Sequence, residues 1–339
     1  LEICNDSDVA SILGGPNNLI LSIINHLQTN TRYHGISNFQ KNCAINTLKK
    51  LHDRKKADGI VFVAGTGSGK SFAYQLPFLL WILSKKIKKW EEHMRGGNRD
   101  VNCSLLLIFP RTALALDQNK TLVELIETIN DYIAQNVVGT DKREFLKITP
   151  PLLDFYGGNK QANSYDIEQD IIITHPISLE NRLADPACHQ IYRKGIDSIL
   201  YDEVHLWDGI GGAGIAALNA RLQNIFTISG LPPLFIGMSA TIDNPDIHCK
   251  KLFALTTSKQ KPQLVEQDPD DPTEEFVLEH HLMLKPAAGR FLNGVAMEST
   301  SCLLHNRRNG LDQFHDDRNH GQGVDITRKP KTITFLDSL

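Results

Sequence analysis

Short, almost wholly apolar runs recur along most of the chain, separated by longer stretches whose apolar residues return every three or four positions. The runs are I-V-F-V-A from Ile60, Cys103 to Phe109, Leu152 to Tyr156, Asp170 to Thr174, Ile196 to Asp202 and Leu234 to Met238. Runs of this length and β-branched content predict strands buried on both faces. Helical spacing is plainest after Phe109, where Leu122, Leu125, Ile126, Ile129, Tyr132 and Ile133 would share one face. It recurs at Cys43, Ala44, Ile45, Leu48 and Leu51, and the apolar stretch Leu19 to Leu27 suits a helix as well. The helix expected after Lys70 carries Pro77, which should kink it, and G-G-A-G-I-A-A-L-N-A-R-L predicts a helix able to pack closely. Apolar strands alternating with helices predict an α/β fold, a parallel sheet with helices on both faces.

From about Asp243 the pattern changes. Asp268 to Glu275 is acidic and carries prolines, Phe276 to Leu284 suits one more strand, and Glu298 to Lys329 is polar with scattered histidines. That polar stretch reads as a solvated loop rather than a metal site. The neighbours His280 and His281 would point to opposite faces of a strand. Lys331 to Leu339 reads as a new apolar strand. The expected organisation is an extension over 1–38, an α/β domain over 39–245, a linker or insertion over 246–330 and the first strand of a further domain over 331–339.

Composition narrows the class without naming a chemistry. A chain of 339 residues, 41% of them hydrophobic, can bury a large core, and a formal net charge of −3 leaves any nucleic-acid contact to a local surface. No apolar run reaches the length of a membrane span, and no secretory signal is visible, so a cytoplasmic protein is expected. Six cysteines without a C-x-x-C pair fit a reducing cytosol rather than a disulfide scaffold or zinc ribbon.

The chemistry is concentrated in A-G-T-G-S-G-K-S, residues 64–71. Gly65, Gly67 and Gly69, with Thr66 and Ser68 between them, let the backbone turn its N–H groups onto an anion. Lys70 would reach the terminal phosphates, and the Ser71 hydroxyl would serve Mg²⁺ at a helix start. The usual first glycine of this pattern is Ala64 here. A second group follows the Ile196 run: Asp202-Glu203-Val204-His205, where Asp202 suits the metal and Glu203 a water-activating base.

Taken in order, these motifs resemble the first RecA-like domain of a superfamily 2 DExH-box helicase. Phe39-Gln40 resembles the Q motif, whose glutamine reads adenine, and residues 64–71 resemble motif I, in which alanine is common at the first position. Pro110 to Gln118 resembles motif Ia with arginine and threonine exchanged; Tyr156-Gly157-Gly158 and Ile173 to Pro176 resemble motifs Ib and Ic, and Ser239-Ala240-Thr241 resembles motif III. Lys331 to Leu339 resembles motif IV, so the further domain would be a second RecA-like one. The resemblance implies that Arg111, Thr112, Gly158, Thr174 and His175 touch the sugar-phosphate backbone of one strand. It implies too that His205, Ser239 and Thr241 couple that grip to the ATP site.

The segment D-E-V-H-L-W-D-G-I-G-G-A-G is similar to Lhr- and YprA-like DNA helicases and to large helicases of phage-defence systems, the DISARM type among them. That similarity implies ATP and Mg²⁺ as cofactors, single-stranded DNA more than RNA as the track, and partner subunits of a defence or repair complex. An RNA helicase, a nucleic-acid-binding module switched by ATP, and a P-loop ATPase acting on protein stay open as alternatives.

Overall fold

A computed structural model describes residues 9, 12–13, 18–30, 36–65, 68–97, 103–155, 169–184, 196–229, 231–240, 242–256 and 261–268. In chain order the elements are α1 (Asn18–Asn30), α2 (Asn38–His52), β1 (Asp58–Val63), α3 (Lys70–Met94), β2 (Cys103–Ile108), α4 (Thr112–Asn136), α5 (Thr140–Leu146), β3 (Leu152–Asp154), β4 (Ile171–Thr174), α6 (Pro176–Ala184), β5 (Ile196–Tyr201), α7 (Gly209–Ser229), β6 (Leu234–Ser239), α8 (Pro245–Leu252) and β7 (Gln263–Glu266). The strands form one seven-stranded sheet in the order β3-β4-β2-β5-β6-β1-β7. Every neighbouring pair is parallel.

Alternation along each strand explains why the strands read as unbroken apolar runs. Ile60, Phe62, Leu105, Leu107, Ile171, Ile173, Leu200, Leu234 and Ile236 pack into one core with residues of α1 to α5. Their immediate neighbours Val61, Leu106, Ile108, Ile172, Ile199, Tyr201 and Phe235 pack on the opposite side against α6, α7 and α8. A strand covered by helices on both faces has no polar side to display.

Two sequence expectations change here. The α1 helix is more than an extension, because Ile20, Ile23, Ile24 and Leu27 are buried in the first core. The sheet also runs past residue 245. Gln263–Glu266, expected within a linker, pairs in parallel register with Ile60–Val63 as an edge strand. The helix expected after Lys70 is α3, which spans Lys70–Met94 with Pro77 inside it. The expected strands over Phe276 to Leu284 and Lys331 to Leu339, the pair His280 and His281, and the polar stretch Glu298 to Lys329 lie outside the described residues.

At the amino ends of the strands a buried ion cluster ties three elements together. Asp197 in β5 accepts from Lys85 Nζ at 2.6 Å and Trp81 Nε1 at 2.9 Å, both on α3. Arg54, from the turn after α2, lies 3.3 Å from the same carboxylate and donates also to the Asp197 carbonyl. Burial opposes ionisation of this carboxyl, yet the neighbouring Lys85 and Arg54 hold it below the ordinary aspartate range.

Candidate ATP site and adjoining loops

Parallel strands deliver their carboxyl ends to one edge, where ligands of open α/β sheets bind. The loop after β1 begins at that edge. Ala64 is buried, its N–H donates to the Ser239 carbonyl of β6 at 3.2 Å, and its backbone is not among the left-handed residues. The position therefore extends the sheet, which is why alanine serves where glycine is usual. Gly69 differs: φ is 76°, and a Cβ there would stand 2.2 Å from Gln40 Nε2. It is glycine by both conformation and space.

Lys70 opens α3 and turns its ammonium back over the loop, donating to the carbonyls of Ala64 at 2.8 Å and Gly65 at 3.2 Å. Burial lowers the Lys70 pKa, while Glu203 and Asp202, near enough for their charges to be felt, act in the opposite sense. Ser68 donates to the Gly65 carbonyl at 2.8 Å, and Ser71 is half-buried in the first turn of α3. Thr66 and Gly67 lie outside the described residues.

Beyond β5 the chain makes a strained turn. Glu203 has φ 49° and ψ 54°, a left-handed conformation uncommon for a residue with a side chain. The turn is held from several sides: Glu203 N–H donates to Asp202 Oδ1 at 2.9 Å, Trp207 Nε1 to the Asp202 carbonyl at 3.1 Å, and His248 Nε2 to the Val204 carbonyl at 3.0 Å. Burial, reinforced by Glu203 next door, raises the Asp202 pKa to about 7. A buried carboxylate beside a second, partly exposed one invites a cation. His205 Nδ1 stands 3.1 Å from the Ser239 hydroxyl and 3.4 Å from Glu203 Oε2. Since Ser239 also receives the Ala64 N–H, one residue touches both the phosphate loop and His205.

The two Q-motif residues stand in different surroundings. Phe39 is 2% exposed and sits in the hydrophobic core, so it cannot lie against a nucleotide as a direct contact. Gln40 accepts from the Ser37 N–H at 3.0 Å and donates to the Gly69 carbonyl at 3.2 Å, so it braces the outgoing end of the loop as well as closing the first turn of α2. The S-x-x-Q spacing of this capping box was readable in the sequence.

Along the same edge, Arg111 and Thr112 start α4 after β2 and are both exposed. His175, after β4, is lowered in pKa by burial, with a hydrogen bond to the Pro110 carbonyl opposing, and its Nδ1 accepts from the Ile177 N–H at 3.4 Å. Thr174 corrects an expectation. Its side chain is 1% exposed and donates to the Asp154 carbonyl at 2.8 Å, so it joins β4 to β3 rather than meeting a phosphate directly. Gly158 and Thr241 lie outside the described residues.

Known proteins agree with this architecture. The family model described as DEAD/DEAH box helicase matches residues 39–248. The chain is 25% identical over 205 residues to the ATP-dependent helicase hrq1 of Schizosaccharomyces pombe, covering 59% of this chain and 16% of that protein. It is 28% identical over 194 residues to the uncharacterized ATP-dependent helicase YprA of Bacillus subtilis, covering 56% of this chain and 22% of that protein. Thus it spans less than a quarter of either relative. Among solved structures, the DUF1998 helicase MrfA bound to DNA superposes with a TM-score of 0.52 at 24% identity, over 72% of this chain and 29% of that one. Mycobacterium smegmatis helicase Lhr, bound to ssDNA and AMP-PNP, superposes with a TM-score of 0.53 at 20% identity, over 76% and 28%.

Proposed function

The chain belongs to the DEAD/DEAH box helicase family, and from that premise we propose that it is the ATP-binding part of a motor that hydrolyses ATP to move along single-stranded DNA. The observation that carries this reading is the sharing of one sheet edge. Lys70 follows β1, Asp202 and Glu203 follow β5, and the exposed Arg111 follows β2, all strands of one parallel sheet. A phosphate site and a backbone grip built on the same edge can be moved by the same event.

In this mechanism Lys70 and the loop N–H groups beyond Gly65, whose own N–H is held by Gln267 Oε1, bind the β- and γ-phosphates, and Glu203 orients the attacking water and takes its proton. The hard oxygen donors at Ser71 and Asp202 suit Mg²⁺, and the raised pKa of Asp202 marks a carboxylate that gains from a nearby cation. Among the described residues no cluster of three or more His, Cys, Asp or Glu forms a self-sufficient metal site. Bound Mg²⁺ neutralises charge developing on the phosphoryl group. His205 and Ser239 pass the state of the phosphate loop towards the nucleic-acid side, where Arg111, Thr112 and His175 hold phosphates without reading sequence.

DNA as the track is supported by the DNA helicases that the D-E-V-H segment resembles; RNA is the alternative. A second RecA-like domain, partner subunits and a place in phage defence or repair rest on the same resemblance. Among the described residues no helix is long and apolar enough to cross a membrane.

Arg111→Ala tests the grip. Binding of single-stranded DNA by the intact protein should weaken to a similar degree for every sequence, and the slope of log K against log salt should become shallower by about one. An unchanged slope, or weakening confined to particular sequences, removes Arg111 from the backbone contacts.

A further inference from the structure

We propose that Gln267 is a positioning residue of the ATP site, holding Lys70 in place through the peptide that joins Ala64 to Gly65. Gln267 lies just beyond β7, in a segment that read as linker, and its own N–H continues the ladder by donating to the Val63 carbonyl at 2.9 Å. Its side chain reaches across to the phosphate loop, where Oε1 accepts the Gly65 N–H at 3.0 Å. That N–H belongs to the same peptide unit as the Ala64 carbonyl, which accepts from Lys70 Nζ at 2.8 Å. No described peptide is cis, so the N–H and the C=O of this unit point to opposite sides. Gln267 stands at one edge of this peptide unit and the Lys70 ammonium at the opposite edge.

The consequence is mechanical. A peptide plane pinned at one group alone can rotate about its flanking dihedrals, whereas a plane pinned at both cannot without breaking a hydrogen bond. Gly65, as glycine, adds no side chain to resist such rotation, and a Cβ there would meet nothing nearer than Gln267 Oε1 at 3.8 Å. The restraint therefore falls to Gln267. The loop is braced at both ends by amide side chains, Gln267 at the entry and Gln40 at the exit, where Gln40 Nε2 donates to the Gly69 carbonyl. The exit brace comes from the chain preceding β1. The entry brace comes from the strand paired to β1 on its outer side, immediately before the acidic stretch that begins at Asp268.

This inference rests on the reading of residues 64–71 as an ATP site, and the test separates the two. A fluorescent ATP analogue is titrated into the wild-type chain, Gln267→Met, Lys70→Ala and the double variant. Gln267→Met removes the acceptor but keeps the length of the side chain, and should raise Kd about five- to tenfold, the range expected for one lost hydrogen bond. In the Lys70→Ala background the same change should raise Kd less than about twofold, because the group being positioned is gone. Partial unfolding would lower the number of sites rather than their Kd. An unchanged Kd for Gln267→Met overturns the proposal, and so does an equal loss in the Lys70→Ala background, which would show a merely structural role. Absence of binding by the wild-type chain would instead overturn the ATP site itself.

Discussion

Glu203→Gln is expected to leave ATP binding at its wild-type level and to lower turnover of the intact protein by about 10²- to 10⁴-fold, or about 3–5 kcal/mol in the barrier. Glutamine fills the same space and can still meet His205, but it cannot take a proton from water. The local geometry is consistent with a residue held for a task. Glu203 sits in a left-handed backbone conformation that its neighbours enforce, since Trp207 fixes the residue before it and His248 the residue after. Its Oε2 is buried without a hydrogen bond and faces His205 Nδ1 at 3.4 Å. Phosphate release at saturating ATP checks the assignment; turnover within about threefold of wild type would remove Glu203 from the chemistry, because a positioned base contributes at least about 10².

Asp197→Ala should be the most damaging single change to stability away from the site, costing about 3 kcal/mol and on the order of 10 °C in melting temperature. The substitution removes the buried carboxylate that Arg54 and Lys85 share, and takes the acceptor from the Trp81 indole N–H. The figure is taken at the lower end of the range for broken buried pairs because the Lys85 side chain keeps 21% of its exposure. Acid should reproduce the effect. The folded-state pKa of Asp197 lies below its unfolded value, so its contribution is fully present above about pH 4 and is lost as pH falls through the folded value. Unfolding by urea, measured at neutral pH and again below pH 4, checks both; a loss of less than about 1 kcal/mol at neutral pH would mean the cluster is dispensable.

What the sequence disclosed and what it withheld follow from how each feature is built. Strands buried on both faces are apolar at most positions, so β1, β2, β4, β5 and β6 announce themselves. Gln263–Glu266 does not, because an edge strand with an intermediate-exposed-buried-exposed pattern leaves only Val265 facing the core. The phosphate loop and the Asp202-Glu203 pair are contiguous and carry their chemistry in their spacing. The Asp197 cluster draws on residues 54, 81, 85 and 197, and Gln267 stands 202 positions from Gly65, so neither leaves a local pattern. Phe39 and Thr174 mislead in the opposite direction. Both fall inside short motifs whose neighbours are placed at the ligand edge, but one side chain turns into the core and the other back to β3.

We propose that the ATP site and the nucleic-acid grip, built on one sheet edge, work as a unit. Phosphate release by the intact protein at saturating ATP, measured with and without single-stranded DNA, tests it most directly. Stimulation of about tenfold or more is expected, a coupling of the usual allosteric size, together with its loss on Arg111→Ala. Turnover that is the same with single-stranded DNA, with single-stranded RNA and with neither would contradict it.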